Sequence, residues 1–481
     1  MNDKVSRRDI LKLSGAALGS LAVVSNTSES SESVTPKNND PSQQDSLFDS
    51  LKPYTVGTPL GPNEMRITFM GTSVVQRRTQ VCSSVFVELG SGESFVFDCG
   101  SGVTINYSAM QVPMSKMRKI FLTHLHGDHT SDLTHIYCFG AQQDGKSPLY
   151  IWGPSPSGIP DPITKQPYDD GTVNFCQHFR EMNRWHTESQ SFVPTQWEDA
   201  EGDGYDIFAT ELNWQTGDTS RYWSTNPSIP KPESGKWLAY QSKDKLGKTV
   251  KIWFFPAVHD RNGSVSYKLE WNDLSMIFTG DTKPNRFLIN NATNGTKGVD
   301  VLISEMVVPP EVWAIKNGGN PNPTGAGLLL ARTVQENSHT PEKALGYILN
   351  ETAKLGKAPR LAVATHFQAE DDTIYPALHN IRTWYSGDVT VATDLMVITV
   401  SKESIQKQKA VVSDFSWFPL AAKRTNYNTK LPKYNDTNKS NPYYPNAPLA
   451  QFDQSLLDQV IDPCVYDPTD FGCTHPYPSK S

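Results

Sequence analysis

Short apolar runs bounded by turn residues recur along the chain from residue 65 to about residue 400. They fall at 65–70, 84–89, 94–98, 119–123, 149–154, 251–255, 264–270, 275–279, 299–304 and 361–365, and their length and composition predict buried strands. Gly90-Ser91-Gly92, between the second and third runs, marks a hairpin. One segment has helical spacing instead. Over 341–355, Ala344, Leu345, Ile348 and Leu349 share a face, Thr340 fits the N-cap, Pro341 the first helical position and Gly356 the C-terminal cap. The pattern predicts an α/β fold, and the chain is long enough for two to three domains or for one large domain with insertions over 60–410. Three stretches depart from it. Residues 26–50 are polar and nearly free of large apolar groups, as a disordered spacer would be. Residues 155–245 form a long insertion, and 411–481 is an Asn-, Pro- and Tyr-rich irregular extension that wraps the surface.

Composition narrows the setting. The chain has 481 residues and a formal charge of −7, which provides no bulk attraction to nucleic acid or to anionic lipid. At the N-terminus, Arg7-Arg8 precedes a short Gly- and Ala-containing apolar run over 13–24. Paired arginines before such a run match a twin-arginine export signal over 1–25, and the run is too short to span a bilayer stably. The expected location is periplasmic or extracellular, with no membrane span after signal removal. Removal takes four basic and two acidic side chains and leaves −9. Cys82, Cys99, Cys138 and Cys176 lie among apolar neighbours and read as buried free thiols, whereas Cys464 and Cys473 suit a local disulfide in an oxidising compartment. The insertion carries Trp185, Trp197, Trp214, Trp223 and Trp237. Its 171–245 part has eleven acidic and seven basic side chains, so it reads as a lid or pocket wall rather than an RNA-gripping arm.

Candidate chemistry concentrates in Thr123-His124-Leu125-His126-Gly127-Asp128-His129-Thr130. Three histidines and an aspartate supply four potential metal ligands, in a chain with only 11 histidines, and a chance match is on the order of one per few thousand such chains. The run over 119–123 is a strand, so His124 and His126 present their rings on one face. Asp128 and His129, on the turn that follows, aim at a second position nearby, and the arrangement suits two metal ions. Three more ligand types stand at the ends of apolar runs: His259, Asp281 and His366. Nitrogen and carboxylate ligands favour zinc first and manganese or iron second. His135, His178, His186, His379 and His475 lie outside the pattern and read as structural.

With these residues in order, the chain resembles the metallo-β-lactamase superfamily, in its ribonuclease Z and arylsulfatase-like branch, over about 65–400. The resemblance rests on the opening run at 65–71, Asp98-Cys99-Gly100, the 123–129 motif, the 149–154 run, His259 with 263–267, Gly280-Asp281-Thr282, His339-Thr340-Pro341 and Thr365-His366-Phe367. The wider pattern is also similar to a subgroup associated with guanitoxin biosynthesis. The resemblance implies an αββα sandwich. It also implies that His124, His126 and His259 hold one ion, that Asp128, His129 and His366 hold the other, and that Asp281 bridges them. Two such ions, roughly 3.5–4 Å apart, would generate a hydroxide nucleophile from a bridging water. Asp128, His339 and Glu305 are the expected catalytic side chains. His339 would stabilise an oxyanion or protonate a leaving group, with Glu305 orienting it. Ser304 departs from the branch, which has histidine there.

The expected reaction is hydrolysis of an ester bond in a small or medium substrate, with phosphodiester or sulfate ester favoured and nucleic acid not expected. The alternatives are a ribonuclease Z-like tRNA 3′-endonuclease and a non-catalytic periplasmic module that binds metal or ligand. Homodimers are common in the branch, and no residue here requires one.

Overall fold

The computed structural model describes residues 51–144, 148–189, 204–219, 221–316, 325–419, 459 and 461. The export signal over 1–25, the spacer over 26–50, Trp197, the Cys464–Cys473 pair, His475 and nearly all of the extension beyond 419 lie outside them. Eight strands of the first half build one sheet: β1 (Lys52–Thr55), β2 (Met65–Gly71), β3 (Ser84–Leu89), β4 (Ser94–Phe97), β5 (Lys119–Phe121), β6 (Leu149–Pro154), β7 (Ile207–Leu212) and β8 (Tyr222–Ser224). Seven strands build the other: β9 (Leu238–Lys243), β10 (Thr249–Pro256), β11 (Val265–Trp271), β12 (Leu274–Phe278), β13 (Val301–Glu305), β14 (Leu361–Thr365) and β15 (Val389–Val391). The chain then returns to the first sheet with β16 (Met396–Val400) and β17 (Ile405–Val411). The sheet orders are β1-β17-β16-β2-β3-β4-β5-β6-β7-β8 and β15-β14-β13-β12-β11-β10-β9.

The strands are buried on both sides because each sheet lies between the other sheet and a layer of helices. Phe97, Phe121, Trp152 and Phe208 of the first sheet and Phe254, Tyr267, Trp271 and Phe278 of the second share one apolar cluster. Phe121 stacks on Trp152 with ring centroids 4.5 Å apart. A second cluster covers the first sheet's outer face with side chains of α1 (Val103–Ala109), α3 (Leu133–Asp144) and α4 (Thr172–Met182); α2 (Gly127–Thr130) and α5 (Arg184–Ser189) complete this half. The second half supplies α6 (Arg286–Thr293), α7 (Pro310–Lys316), α8 (Ala326–Ser338), α9 (Glu342–Lys354) and α10 (Asp371–Arg382). On α9 three of the four residues that the sequence pattern marked, Leu345, Ile348 and Leu349, are buried, with Glu342, Gly346 and Thr352, whereas Ala344 is half-buried. The architecture is the αββα sandwich.

Three details differ from the sequence reading. Helix α9 starts at Glu342 with Pro341 as its N-cap, and Thr340 is not the cap: its hydroxyl donates to the Thr282 carbonyl at 2.6 Å. Within 155–245, β7 pairs with β6 and β9 with β10, so part of that span extends both sheets. Trp214 and Trp237 pack against the inter-sheet cluster and Trp223 against the outer one, while Trp185 is 86% exposed. Those three indoles are occupied by packing, as is usual for tryptophan. Cys82, Cys99, Cys138 and Cys176 are buried free thiols. Among the described residues, no helix is long and apolar enough to cross a membrane.

Candidate metal centre

The residues singled out in the sequence leave the same ends of the strands. β5 continues into Thr123 and His124, β10 leads to His259, β12 to Gly280-Asp281, β13 ends at Glu305 and β14 precedes His366. Glycine 280 makes the close approach of the two sheets feasible there. Its φ is +57°, and a Cβ on it would stand 2.4 Å from the Thr123 side chain. With no Cβ, the β12 end lies against the β5 end, and Asp281 reaches the histidines of the first sheet.

The side chains form two main groups, His124 with His126 and His259, and Asp128 with His129, Asp281 and His366, and a third, His259 with Asp281 and His339, overlaps both, each with potential donor atoms within 4.8 Å of one another. His124 Nε2 is 3.0 Å and His259 Nε2 is 3.3 Å from His126 Nδ1. In the second group His129 Nε2 lies 3.3 Å from His366 Nε2, 3.2 Å from Asp281 Oδ1 and 3.4 Å from Asp128 Oδ2. Asp281 faces both: Oδ1 is 2.8 Å from His366 Nε2, and Oδ2 is 3.7 Å from His259 Nε2.

Groups behind these atoms hold the rings in place. Asp98, at the end of β4 with φ +58°, accepts from the Thr123 amide at 2.8 Å and the Thr123 hydroxyl at 2.7 Å, and lies 2.7 Å from His129 Nδ1. His259 Nδ1 is 2.8 Å from the Ser338 carbonyl. Each contact occupies one ring nitrogen and leaves Nε2 for the convergence point, as outer partners of metal-ligating histidines do. His366 has φ +68°, and its amide donates to the Thr72 carbonyl at 2.9 Å. Thr72 in turn donates to buried Asp394 at 2.7 Å, and Asp394 also accepts from the Val81 amide and from Asn106. The sequence reading missed Asp394. It is a lone carboxylate after a short strand, and the only sign of its role is partners about 300 positions away.

The donor set fits divalent cations. Asp281 Oδ1 is buried without a hydrogen-bond partner, although the Nε2 atoms of His366 and His129 crowd it. Unshared electron pairs aimed at one point, away from water, are costly without positive charge between them. Burial opposes ionisation of Asp281, yet the imidazoles of His366 and His129 hold its carboxyl well below the carboxylate range. Burial and the neighbouring His129 push His124 well below the ordinary histidine value, so it is a neutral ligand type. Burial also works against protonation of His129, but Asp281 and Asp98 raise it well above that value.

His339 closes α8 as its C-cap, a position the sequence reading described only as preceding the next helix. Its Nδ1 lies 3.2 Å from Glu305 Oε1 and 3.9 Å from Asp281 Oδ2. Burial lowers its pKa, but Glu305, with Asp281 and Asp260, raises it to about 9. The negative end of the α8 dipole favours the same charged form. Glu305 Oε1 also accepts from the amides of Thr282 and Thr340. The structure thus brings together all nine residues singled out for metal binding or catalysis.

Comparison with known proteins agrees over the first third of this region. The family model described as "Anti-Pycsar protein Apyc1" matches residues 65–154. Zinc phosphodiesterase ELAC protein 1 of Homo sapiens is 36% identical over 94 residues, 19% of this chain and 26% of that protein. Ribonuclease Z of Crocosphaera subtropica is 38% identical over 92 residues, 19% of this chain and 30% of that protein. The matched segment thus spans a quarter to a third of the length of these relatives. Among solved structures, human tRNase Z, short form, aligns with 69% of this chain and 98% of its own at 21% identity and a TM-score of 0.42. The metallo-β-lactamase fold protein YhfI of Bacillus subtilis aligns with 70% of this chain and 100% of its own at 15% identity and a TM-score of 0.41. The two sheets between helices, with a His/Asp cluster at one end, define a metallo-β-lactamase-fold protein. Over about 90 residues its sequence is similar to ribonuclease Z and to zinc phosphodiesterase ELAC protein 1.

Proposed function

We propose that the chain is an exported, dinuclear metal-dependent hydrolase of ester bonds, with zinc as the first expectation and a phosphodiester or sulfate ester as the favoured substrate. The observation that carries the reading is Asp281, whose two carboxylate oxygens face the two ligand groups separately. When bound, two divalent ions would activate a shared water and polarise the ester. The chain's own part is to fix and move protons. Asp98 and the Ser338 carbonyl set the His129 and His259 rings, and Asp128 completes the second group. His339, held by Glu305 and protonated at neutral pH, donates its proton to the departing oxygen and regains one from the attacking water.

The test is metal content together with turnover for the full chain. Two metals per chain and hydrolysis of bis(p-nitrophenyl) phosphate or an aryl sulfate are expected, with a fall of about 10²-fold in kcat for His339→Ala. Two metals without turnover across a broad ester panel would favour the binding module. Action on tRNA is a second reading, favoured by the likeness to ribonuclease Z and opposed by the acidic charge. Fusion of residues 1–25 to a reporter tests export, and failure of the reporter to cross the membrane would remove that part of the reading.

A further inference from the structure

A cavity of about 440 Å³ that the proposed hydrolysis leaves unassigned borders the chain segment that carries His124 and His126. Leu125, Phe175, Phe179 and Met182 line it together with the polar side chains of Asp170, Asn174 and His178, the last its one basic side chain. Two chain connections tie it to the centre. Leu125 is the residue between His124 and His126. Asp170 Oδ2 accepts from Arg261 Nε at 2.6 Å, and Arg261 is two residues from His259. The cavity and the ligand cluster therefore share the Leu125 segment and the segment after β10.

The lining selects among substrates. Phe175 and Phe179, one turn apart on α4, stack with centroids 6.0 Å apart and planes 16° from parallel. Met182 continues the same side of α4 and is 66% exposed, an adaptable side chain left at the mouth. Among the described residues, no lysine or arginine lines the cavity, and the nearby Arg261 is engaged by Asp170 and lies over the Tyr168 ring. A polynucleotide with its scissile phosphate at the centre carries another phosphate on the neighbouring nucleotide, and it needs cations there. An uncharged planar or branched group gains burial against Leu125 and the two phenyl rings instead.

We propose that this cavity receives an aryl or branched-alkyl group of the ester substrate, immediately beside the bond cleaved at the His/Asp centre. The inference rests on the hydrolase reading and specifies its substrate class as an apolar ester rather than a polyanion. Its test is binding to the zinc-loaded full chain, measured by calorimetry with 2-naphthyl phosphate and inorganic phosphate as probes. The expected result is roughly tenfold or greater preference for the naphthyl compound. Phe175→Ala and, separately, Met182→Ser bring its affinity toward that of inorganic phosphate, leave inorganic phosphate unaffected, and Phe175→Leu restores part of the preference. Met182 is exposed, so its variant reads out without a folding defect. Equal affinity for the two probes, or a preference that neither variant changes, overturns the cavity assignment while ester turnover by the wild type keeps the hydrolase reading. Absence of both phosphate binding and ester turnover overturns the hydrolase reading and this inference with it.

Discussion

Asp98 spends its hydrogen bonds on Thr123 and His129, the two residues that bracket the 123–129 motif. In Asp98→Asn the amide group meets either the Thr123 donors or the His129 ring with its own N–H, and the ring loses the partner that fixes its tautomer. The expected outcome is a 10- to 100-fold loss of metal affinity in chelator competition, with the fold retained. Gly280→Ala acts differently. The new methyl meets Thr123 in a left-handed backbone position, and we expect a loss of about 1–3 kcal/mol, measured as a lower denaturation midpoint. At this scale the candidate ligands that the structure brings together were legible in the sequence because each is a histidine or aspartate at or just after the end of an apolar run. Asp394 and the Asp170–Arg261 pair were not. Their partners are 322, 313 and 91 positions away, and no local pattern marks a carboxylate whose purpose is a distant donor.

Elements carry their own constraints. Helix α4 has glycine at its N-cap and no side-chain cap of its own, and the Val173 amide in its first turn donates to Glu211 Oε1 on β7 at 2.8 Å. Burial raises the Glu211 pKa to about 7, against the pull of the Val173 amide and Arg221. A carboxyl with a raised folded-state pKa contributes most below its unfolded value of about 4.5, and that contribution is lost as pH rises through about 7. The thermal midpoint should therefore fall between about pH 4.5 and pH 8, and Glu211→Gln should flatten the part of the fall centred near pH 7. Asp394, raised by burial to about 6, titrates in the same direction, so the difference between variant and wild type isolates Glu211. The strands that hold the ligands were readable as apolar runs. β7 and β9 were not, because they lie in a span whose tryptophans and charges masked two short runs. Helix α8 was also missed, and with it the dipole on which His339 sits.

At the scale of the molecule, the centre is the place where both sheets are tied together. His124 and His129 follow β5 of one sheet, and His259, Asp281 and His366 follow β10, β12 and β14 of the other. A ligand that binds only the folded state adds stability by mass action. Removal of metal with a chelator should lower the thermal midpoint by several degrees, and zinc should restore it. An unchanged midpoint after verified metal loss would contradict a shared site. The layered architecture was legible because interleaved apolar runs leave few alternatives, whereas the order of strands was not: no local signal says that β16 returns to β2.

That return has a consequence for synthesis. β2 pairs with β16, so Met65 faces Val400 across the first sheet. A ribosome that has made residues 124–129 has made the most recognisable motif of the protein, but its sheet still lacks the strand beside β2, and three ligand segments are untranslated. Such contacts between chain ends form late. A product truncated before His366 carries the motif without all seven candidate ligands, so on the dinuclear reading metal uptake would report translation past that residue, and complete pairing of β2 would need translation past residue 400.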